Sequence, residues 1–249
     1  MSPLALCYHA VSDGWADPLA MRPSDFERQL RLLLRRGFRP VGAAEFAQGG
    51  GRVLHITFDD AYRSVADNAV PILERLGMPA TIFACTRFAA AGAAFEVPEL
   101  AEQLAANRDE MQTLQWERLR ELADRGVEIG SHTVSHPHLT ETSDADLEEE
   151  LAGSRSEIED NLGRRCRYLA YPFGHDDPRV HRAAAAAGYE AAFTLADTPH
   201  ASRENLFALP RVDLYRADGV VRSTLKTSLV KPLVTPLMQR WRSSGRRYR

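Results

Sequence analysis

Short apolar runs rich in β-forming residues alternate with amphipathic stretches along most of the chain. The apolar runs predict strands at residues 4–8, 38–41, 53–58, 80–85, 127–130, 167–170, 190–195 and 208–213. The intervening stretches predict helices that end at or just before a glycine, at 24–36, 62–76, 114–125, 144–162 and 178–187. Ser24-Asp25-Phe26-Glu27 has the pattern of a capping box at the start of the first helix. Residues 88–112 have the character of a helical insertion.

This alternation of strands and helices predicts an α/β fold with a mainly parallel sheet. About 215 residues follow the same rhythm without a linker, which favours one barrel over two smaller domains. We therefore expect a barrel domain at 1–215 and a separate tail at 216–249.

Composition and charge narrow the possible functions. The chain has 249 residues, of which 44% are hydrophobic and 26% charged, as in an ordinary globular protein. Its net charge of -3 gives no indication of nucleic-acid binding. The charge is uneven, because residues 216–249 carry about +8 and the remainder about -11.

The cysteines and the hydropathy pattern predict a cytoplasmic location. Cys7, Cys85 and Cys166 are far apart and form no CxxC pair, which indicates reduced, buried thiols. The first residues lack the basic and apolar segments of a secretory signal, and no apolar run is long enough to span a membrane.

Polar residues that can carry chemistry follow several of the predicted strands. Asp59 and Asp60 end the run VLHITFDDAY, where they form either a solvated turn or part of a site. His132 and His136 follow another strand in VEIGSHTVSHPHL, with a spacing that lets both face one ion if the segment turns helically. Two histidines and one carboxylate are a ligand set of catalytic zinc, so these strand ends together predict a metal site. His138 is expected to support the loop.

Two further strand ends offer candidate site residues. In YLAYPFG, Tyr171, Pro172 and Phe173 form an aromatic wall and a tight turn, and the backbone N–H of Tyr171 is a candidate donor to an oxyanion. His9 follows the first strand in LCYHAVSD, and a single histidine in such a place is more often structural than part of a site. His55 alternates with apolar residues of its strand and is expected in the core.

The motifs TFDD, SHTVSH and YPFG, in this order, resemble those of the polysaccharide deacetylase family (carbohydrate esterase family four, the NodB-homology domain) over about residues 4–215. The resemblance implies a distorted, incomplete (β/α) barrel of about seven strands. It also implies removal of acetyl groups from sugars with one divalent metal ion, of which zinc is the first choice and cobalt, nickel or manganese are alternatives.

Carried over to this sequence, the resemblance assigns Asp60, His132 and His136 to the metal and Asp59 to the general base. Two departures stand out: Ala170 replaces an arginine common in the third motif, and no histidine follows the last predicted strand.

A circularly permuted subset, which resembles the poly-N-acetylglucosamine deacetylases, carries YHxV on its first strand. By that resemblance His9 is the general acid. Arg211, in ALPRVDL, is a candidate replacement for the missing arginine. In that role it would pair with Asp59 or hold substrate. The alternative is that Arg211 lies at a surface strand end without a role in the site.

The implied function is metal-dependent removal of N-acetyl groups from an amino-sugar glycan, or from a lipid- or nucleotide-linked precursor, with release of acetate. Deformylation of a lipid-linked sugar or hydrolysis of a small amide would use the same residues, and a carbohydrate-binding module without activity is a third alternative. Residues 225–249 interleave apolar and basic positions, which suits either packing on the barrel or peripheral attachment to the inner face of an anionic membrane.

Overall fold

The structure is a computed structural model that describes residues 3–198 and 201–218, together with Arg222 and Lys226. Its strands are β1 (Leu4–Tyr8), β2 (Ala10–Val11), β3 (Ala20–Met21), β4 (Arg39–Pro40), β5 (Val53–Phe58), β6 (Ala80–Ala84), β7 (Glu128–Ser131), β8 (Tyr168–Ala170), β9 (Ala191–Leu195) and β10 (Leu209–Asp213). Each predicted strand is present to within one or two residues at its ends.

Within the described residues, seven parallel strands form a closed ring in the order β1, β10, β9, β8, β7, β6, β5. Pairing of β1 with β5 closes the ring, with Leu4 opposite Leu54 and Tyr8 opposite Phe58. The short β4 lies beside the start of β5, and β2 pairs with β3 outside the ring. The predicted (β/α) barrel of about seven strands is confirmed, one strand short of the eight in a complete (β/α)8 ring.

Helices surround this ring. They are α1 (Pro23–Arg35), α2 (Ala43–Gln48), α3 (Val70–Leu76), α4 (Thr86–Ala91), α5 (Ala101–Asn107), α6 (Trp116–Asp124), α7 (Asp144–Glu148), α8 (Ser154–Leu162) and α9 (Pro178–Ala186). The wide turn Glu149–Gly153 joins α7 to α8, so the predicted helix at 144–162 is continuous. A similar wide turn, Val65–Ala69, precedes α3.

The expected capping box at Ser24 is wrong. The helix begins one residue earlier, at Pro23, with Arg22 as N-cap and no side chain capping the first turn. Proline suits the first helical position because its backbone angle is already helical and it has no N–H to leave unsatisfied.

Aromatic side chains fill part of the barrel interior and include one buried histidine. His55 on β5 lies between Phe46 and Phe193, with ring centroids 5.7 and 5.9 Å away. Its Nδ1–H donates to the Val41 carbonyl at 3.0 Å, and its Nε2 accepts from the Thr81 hydroxyl at 3.2 Å. The prediction that His55 belongs to the core is confirmed. All three cysteines are buried and unpaired, as expected.

The described part of the basic tail packs on the barrel. Arg216 donates to the carbonyl oxygens of Ser12, Trp15 and Ala20. Asp218 is 2% exposed and forms an ion pair with Lys226. Most of 225–249, and His200, lie outside the described residues. No helix of the described chain combines the length and the apolar character that crossing a bilayer requires.

Candidate active site

The sequence motifs meet at one end of the barrel. His9 follows β1, Asp59 follows β5, His132 follows β7 and Tyr171 follows β8. Because all ring strands are parallel, their carboxyl ends lie at the same rim. Residues as far apart in sequence as His9 and Tyr171 are thereby brought to one rim.

Asp60, His132 and His136 form a compact group of ligand atoms that lie within 4.8 Å of one another. The Nε2 atoms of His132 and His136 lie 3.5 and 3.7 Å from Oδ1 of Asp60. Ligand atoms roughly 2.0–2.2 Å from one ion would have similar separations. His132 is oriented by its Nδ1–H, which donates to the Ala170 carbonyl at 2.8 Å and leaves Nε2 free to bind.

The electrostatics of this group fit a cation. Oδ1 of Asp60 is buried and has no hydrogen-bond partner among the described residues, although it faces both imidazoles. Burial, and then the charge of Asp59, raise the pKa of Asp60 well above its ordinary value. Burial lowers the pKa of His132 and, more strongly, of His136, so both imidazoles are neutral at pH 7. A divalent ion between them would satisfy the carboxylate and use the free imidazole nitrogens.

The segment that carries the two histidines is a loop rather than the helical turn that the spacing suggested. Thr133 and His136 have left-handed φ angles of 71° and 65°, which turn the chain sharply enough to aim both rings at Asp60. Glu150, on the turn between α7 and α8, holds the loop by accepting from the backbone N–H groups of Val134 and Ser135 at 2.8 and 2.9 Å. No sequence signal distinguished Glu150 from its acidic neighbours.

Asp59, the candidate base, is held by a buried arginine. Arg211 on β10 donates from Nη1 to Oδ1 at 2.6 Å and from Nη2 to Oδ2 at 2.8 Å. A further hydrogen bond from Nη1 to the Thr57 hydroxyl, at 3.1 Å, fixes the guanidinium. The thiol of Cys7 also donates to Oδ2 of Asp59, at 3.3 Å.

This environment keeps Asp59 ionised. Burial alone would raise the pKa of Asp59, but the charge of Arg211, with His132 adding to it, holds that pKa well below its usual range. Arg211 itself is 0% exposed, so the alternative of a surface strand end is wrong, and the expected pairing with Asp59 is present. The guanidinium acts on the site through Asp59, as a positioning residue.

His9 lies beside Asp59 and is partly exposed. Its Nδ1 atom is buried without a hydrogen-bond partner among the described residues. Burial lowers the pKa of His9, and the charge of Asp59 opposes that effect. The imidazole is thus at the site and not packed in the core.

Tyr171 does not supply the expected oxyanion donor. Its backbone N–H donates to the Phe193 carbonyl at 3.0 Å, because the pairing of β8 with β9 continues one residue past Ala170. Its side chain is also fully buried, with the hydroxyl donating to the Phe207 carbonyl at 2.9 Å. Pro172 is buried and begins the short turn Pro172–Gly174.

Phe173 does form a wall of the site, as predicted. Its ring packs edge-on against His136, with centroids 4.5 Å apart, and His138 stacks on its other side at 4.1 Å. Phe95, from the insertion, contacts His136 at 5.2 Å. His138 also binds Glu99 through Nε2 at 3.2 Å, which agrees with its expected role in supporting the loop.

The chain is similar in sequence to known proteins. Residues 47–192 match the sequence profile of the family described as "Polysaccharide deacetylase". The Bacillus subtilis (strain 168) protein YxkH is 24% identical over 214 residues, which are 83% of this chain and 69% of that protein. The poly-beta-1,6-N-acetyl-D-glucosamine N-deacetylase of Escherichia coli (strain K12) is 31% identical over 144 residues, or 52% of this chain, and the match spans only 20% of that enzyme.

The fold has solved counterparts. The structure of the Streptococcus pyogenes deacetylase PplD in complex with acetate superposes with a TM-score of 0.72 at 21% identity, covering 92% of this chain and 99% of that one.

Proposed function

Because this chain belongs to the polysaccharide deacetylase family, we propose that it removes N-acetyl groups from an amino-sugar glycan or glycan precursor and releases acetate. One observation carries the proposal: a candidate metal triad lies next to a fixed, ionised carboxylate, with Nε2 of His132 3.9 Å from Oδ2 of Asp59. Hydrolysis of an amide needs a place where water is activated and a group that takes the proton of that water. The candidate metal triad suits the first requirement and Asp59 suits the second.

Asp60, His132 and His136 are the residues that would hold the ion. A divalent ion there would lower the pKa of nearby water and polarise the acetyl carbonyl. Asp60 adds one negative charge, and the two neutral imidazoles leave room in the coordination shell for water and substrate.

Asp59 acts as the base on this proposal. Its low pKa makes it a weak base that stays ionised over the whole physiological range, so it is always ready to accept a proton from activated water. Arg211 occupies one side of each carboxylate oxygen and keeps the group from rotating. The carboxylate therefore presents a fixed oxygen toward the candidate metal triad.

His9 acts as the acid. An amine leaves as a neutral group only if it receives a proton as the C–N bond breaks, and a protonated imidazole can supply it. His9 offers a ring nitrogen within 4.8 Å of an Asp59 oxygen, and its partial exposure allows substrate to reach it. Because the Tyr171 N–H donates to the Phe193 carbonyl, it is not available to an oxyanion, and a divalent ion held by Asp60, His132 and His136 would supply that stabilisation.

The proposal is tested with the purified full chain loaded with zinc, cobalt or manganese and incubated with N-acetylglucosamine oligomers. Acetate release and mass spectrometric loss of single acetyl groups are the expected results. Asp59→Asn should release no acetate above background, whereas Asp67→Asn, which changes an exposed carboxylate in the wide turn before α3, should match the wild type. Absence of acetate from every oligomer and every metal would contradict the proposed activity.

A location on the inner face of the membrane, with contact through residues 225–249, is a further part of the proposal and would place the site near a lipid-linked precursor. The excess of basic residues in that segment supports it. Lys226, however, is buried against Asp218 and cannot contribute to lipid binding. Co-sedimentation with anionic and neutral vesicles, with and without residues 227–249, tests the contact, and equal pelleting of both forms would exclude it.

A further inference from the structure

A second group of potential metal ligands lies directly beside the candidate metal triad. Cys7, His9 and Asp59 each offer one ligand atom, and these atoms lie within 4.8 Å of one another. We propose that this cluster is a second cation site, selective for thiophilic divalent ions such as zinc or cadmium, and that its occupation inhibits the enzyme.

The geometry of the cluster matches the needs of such an ion. Sγ of Cys7 and Oδ2 of Asp59 are 3.3 Å apart, close to the separation of neighbouring ligands around a tetrahedral ion with a metal–sulfur distance of roughly 2.3 Å and a metal–oxygen distance of roughly 2.0 Å. A hydrogen now lies between the two atoms, in the bond that the thiol donates. His9 contributes one ring nitrogen to the cluster as the third ligand, and its Nδ1 is buried without a hydrogen-bond partner among the described residues.

Arg211 leaves this position open. It donates once to each oxygen of Asp59, and a carboxylate oxygen has two lone pairs. Oδ2 therefore keeps one lone pair, the one that accepts from Cys7 at present.

When the ion binds to the cluster, it replaces the proton of the Cys7 thiol. The thiol of Cys7 releases its proton to water, the S–H···O bond is lost, and sulfur and oxygen each bond to the ion. The ion and the thiolate together add one positive charge beside the neutral pair of Asp59 and Arg211. A hydroxide in the fourth coordination position would neutralise it. Thiolate ligation favours zinc and cadmium over magnesium, calcium and manganese.

Inhibition follows because the same ion would bind both proton-transfer groups. Asp59 would no longer be free to accept a proton, and His9 would no longer be free to donate one. Zinc should therefore activate at low concentration, through Asp60, His132 and His136, and inhibit at higher concentration. This consequence rests on the proposed function, whereas binding of a second ion does not.

Binding is measured without substrate, by equilibrium dialysis of the full chain against increasing zinc, followed by elemental analysis. Wild-type protein should hold one more ion per chain than Cys7→Ser, in which a hydroxyl replaces the thiol and can still donate to Asp59. Cys166→Ser is the matched control, because Cys166 is equally buried but belongs to neither cluster. It should bind as many ions as wild type.

Cadmium gives a second readout, the ultraviolet charge-transfer band of a cadmium thiolate. The band should be present in wild type and in Cys166→Ser and absent in Cys7→Ser. Equal zinc stoichiometry in wild type and Cys7→Ser, or a cadmium band that survives in Cys7→Ser, would overturn the proposal.

The activity arm compares deacetylation at low and at excess zinc, each variant relative to its own maximal rate. Excess zinc should lower the rate at least tenfold in wild type and Cys166→Ser, and less than twofold in Cys7→Ser. Excess manganese should inhibit none of them through this site. If no variant released acetate under any condition, the proposed function would fail while the dialysis and cadmium results still decide the second site.

Discussion

Arg211 and Asp59 lie 152 positions apart in the sequence and form a two-point ion pair inside the barrel, with N···O distances of 2.6 and 2.8 Å. Neither side chain has appreciable contact with solvent. A buried pair of this kind fixes both the charge and the orientation of the carboxylate. Arg211 thus determines the charge and the orientation of Asp59, the base of the proposed reaction.

Replacing Arg211 by alanine should destabilise the protein and weaken the site. The variant leaves Asp59 buried without its partner, and we expect a loss of roughly 3–5 kcal/mol in the free energy of unfolding. Denaturant titration measures this loss. Arg165→Ala, which breaks the exposed pair with Glu190, is the control and should cost at most about 1 kcal/mol.

The same variant should change the pH profile of any residual activity. Arg211 lowers the pKa of Asp59, so its removal raises that pKa, and the acid limb of the pH–rate profile should move to higher pH. An acid limb that stayed in place would mean that Asp59 is not the titrating base.

Asp59→Asn separates the base from the metal ligands. An amide accepts no proton at neutral pH, so turnover should fall by roughly two to four orders of magnitude. The candidate triad is intact, so at the low zinc concentration that fills only the triad, elemental analysis should find the same metal content as in wild type. A near-normal rate would require another residue to act as base.

Alanine in place of Asp60, His132 or His136 should abolish activity and lower the bound metal by one ion per chain, because each residue supplies one of the few ligands of the triad. His138→Ala is the comparison, since His138 stacks on Phe173 outside the ligand group. It should retain metal. Full metal occupancy in the His136 variant is the result that would exclude His136 as a ligand.

His9→Ala should fold and bind metal but lose roughly 10²–10⁴-fold in rate. The protonated fraction of an acid falls as pH rises through its pKa, so His9 should set the alkaline limb of the pH–rate profile. That limb should disappear in the variant. If it persisted unchanged, the acid would be another group.

His55 should make the fold sensitive to mild acid. Burial lowers the pKa of His55 to about 4, against about 6.5 in an unfolded chain. Between these values the unfolded chain binds more protons, so stability falls as pH falls, by about 2 kcal/mol from pH 7 to pH 5. Denaturant titration should find the same acid loss in wild type and in His175→Gln, which changes an exposed histidine. In His55→Gln the loss should be smaller by about 2 kcal/mol, because the lowered pKa values of His9, His132 and His136 still contribute.

The sequence predicted the site as far as strand ends determine it. His9, Asp59 and His132 each follow an apolar run, and parallel strands bring such positions to one rim. The sequence could not predict how far each strand pairs. The pairing of β8 with β9 extends to Tyr171 and uses the N–H that we expected to face the substrate.

The sequence also could not predict which side chains, far apart along the chain, contact each other in the site. The thiol of Cys7 donates to Asp59, and Glu150 holds the loop of the two histidines. Neither residue differs locally from an ordinary buried cysteine or a helix glutamate, and only the folded register brings them to the site. The start of α1 could not be predicted either. Pro23 and Ser24 are adjacent and both are typical of a helix N-terminus, and the helix begins at Pro23.

The pairing of β1 with β10 has a consequence for when the protein can act. Cys7 pairs with Asp213, so β1, which is synthesised well before β10, lacks one of its two neighbouring strands until β10 has been made. Contacts of such long sequence separation form late and slowly in folding. A nascent chain that already carries His9, Asp59 and the candidate metal ligands still lacks the guanidinium that orients the carboxylate. Catalytic competence should therefore begin only after Arg211 has left the exit tunnel, which keeps an unfinished chain from acting on glycan.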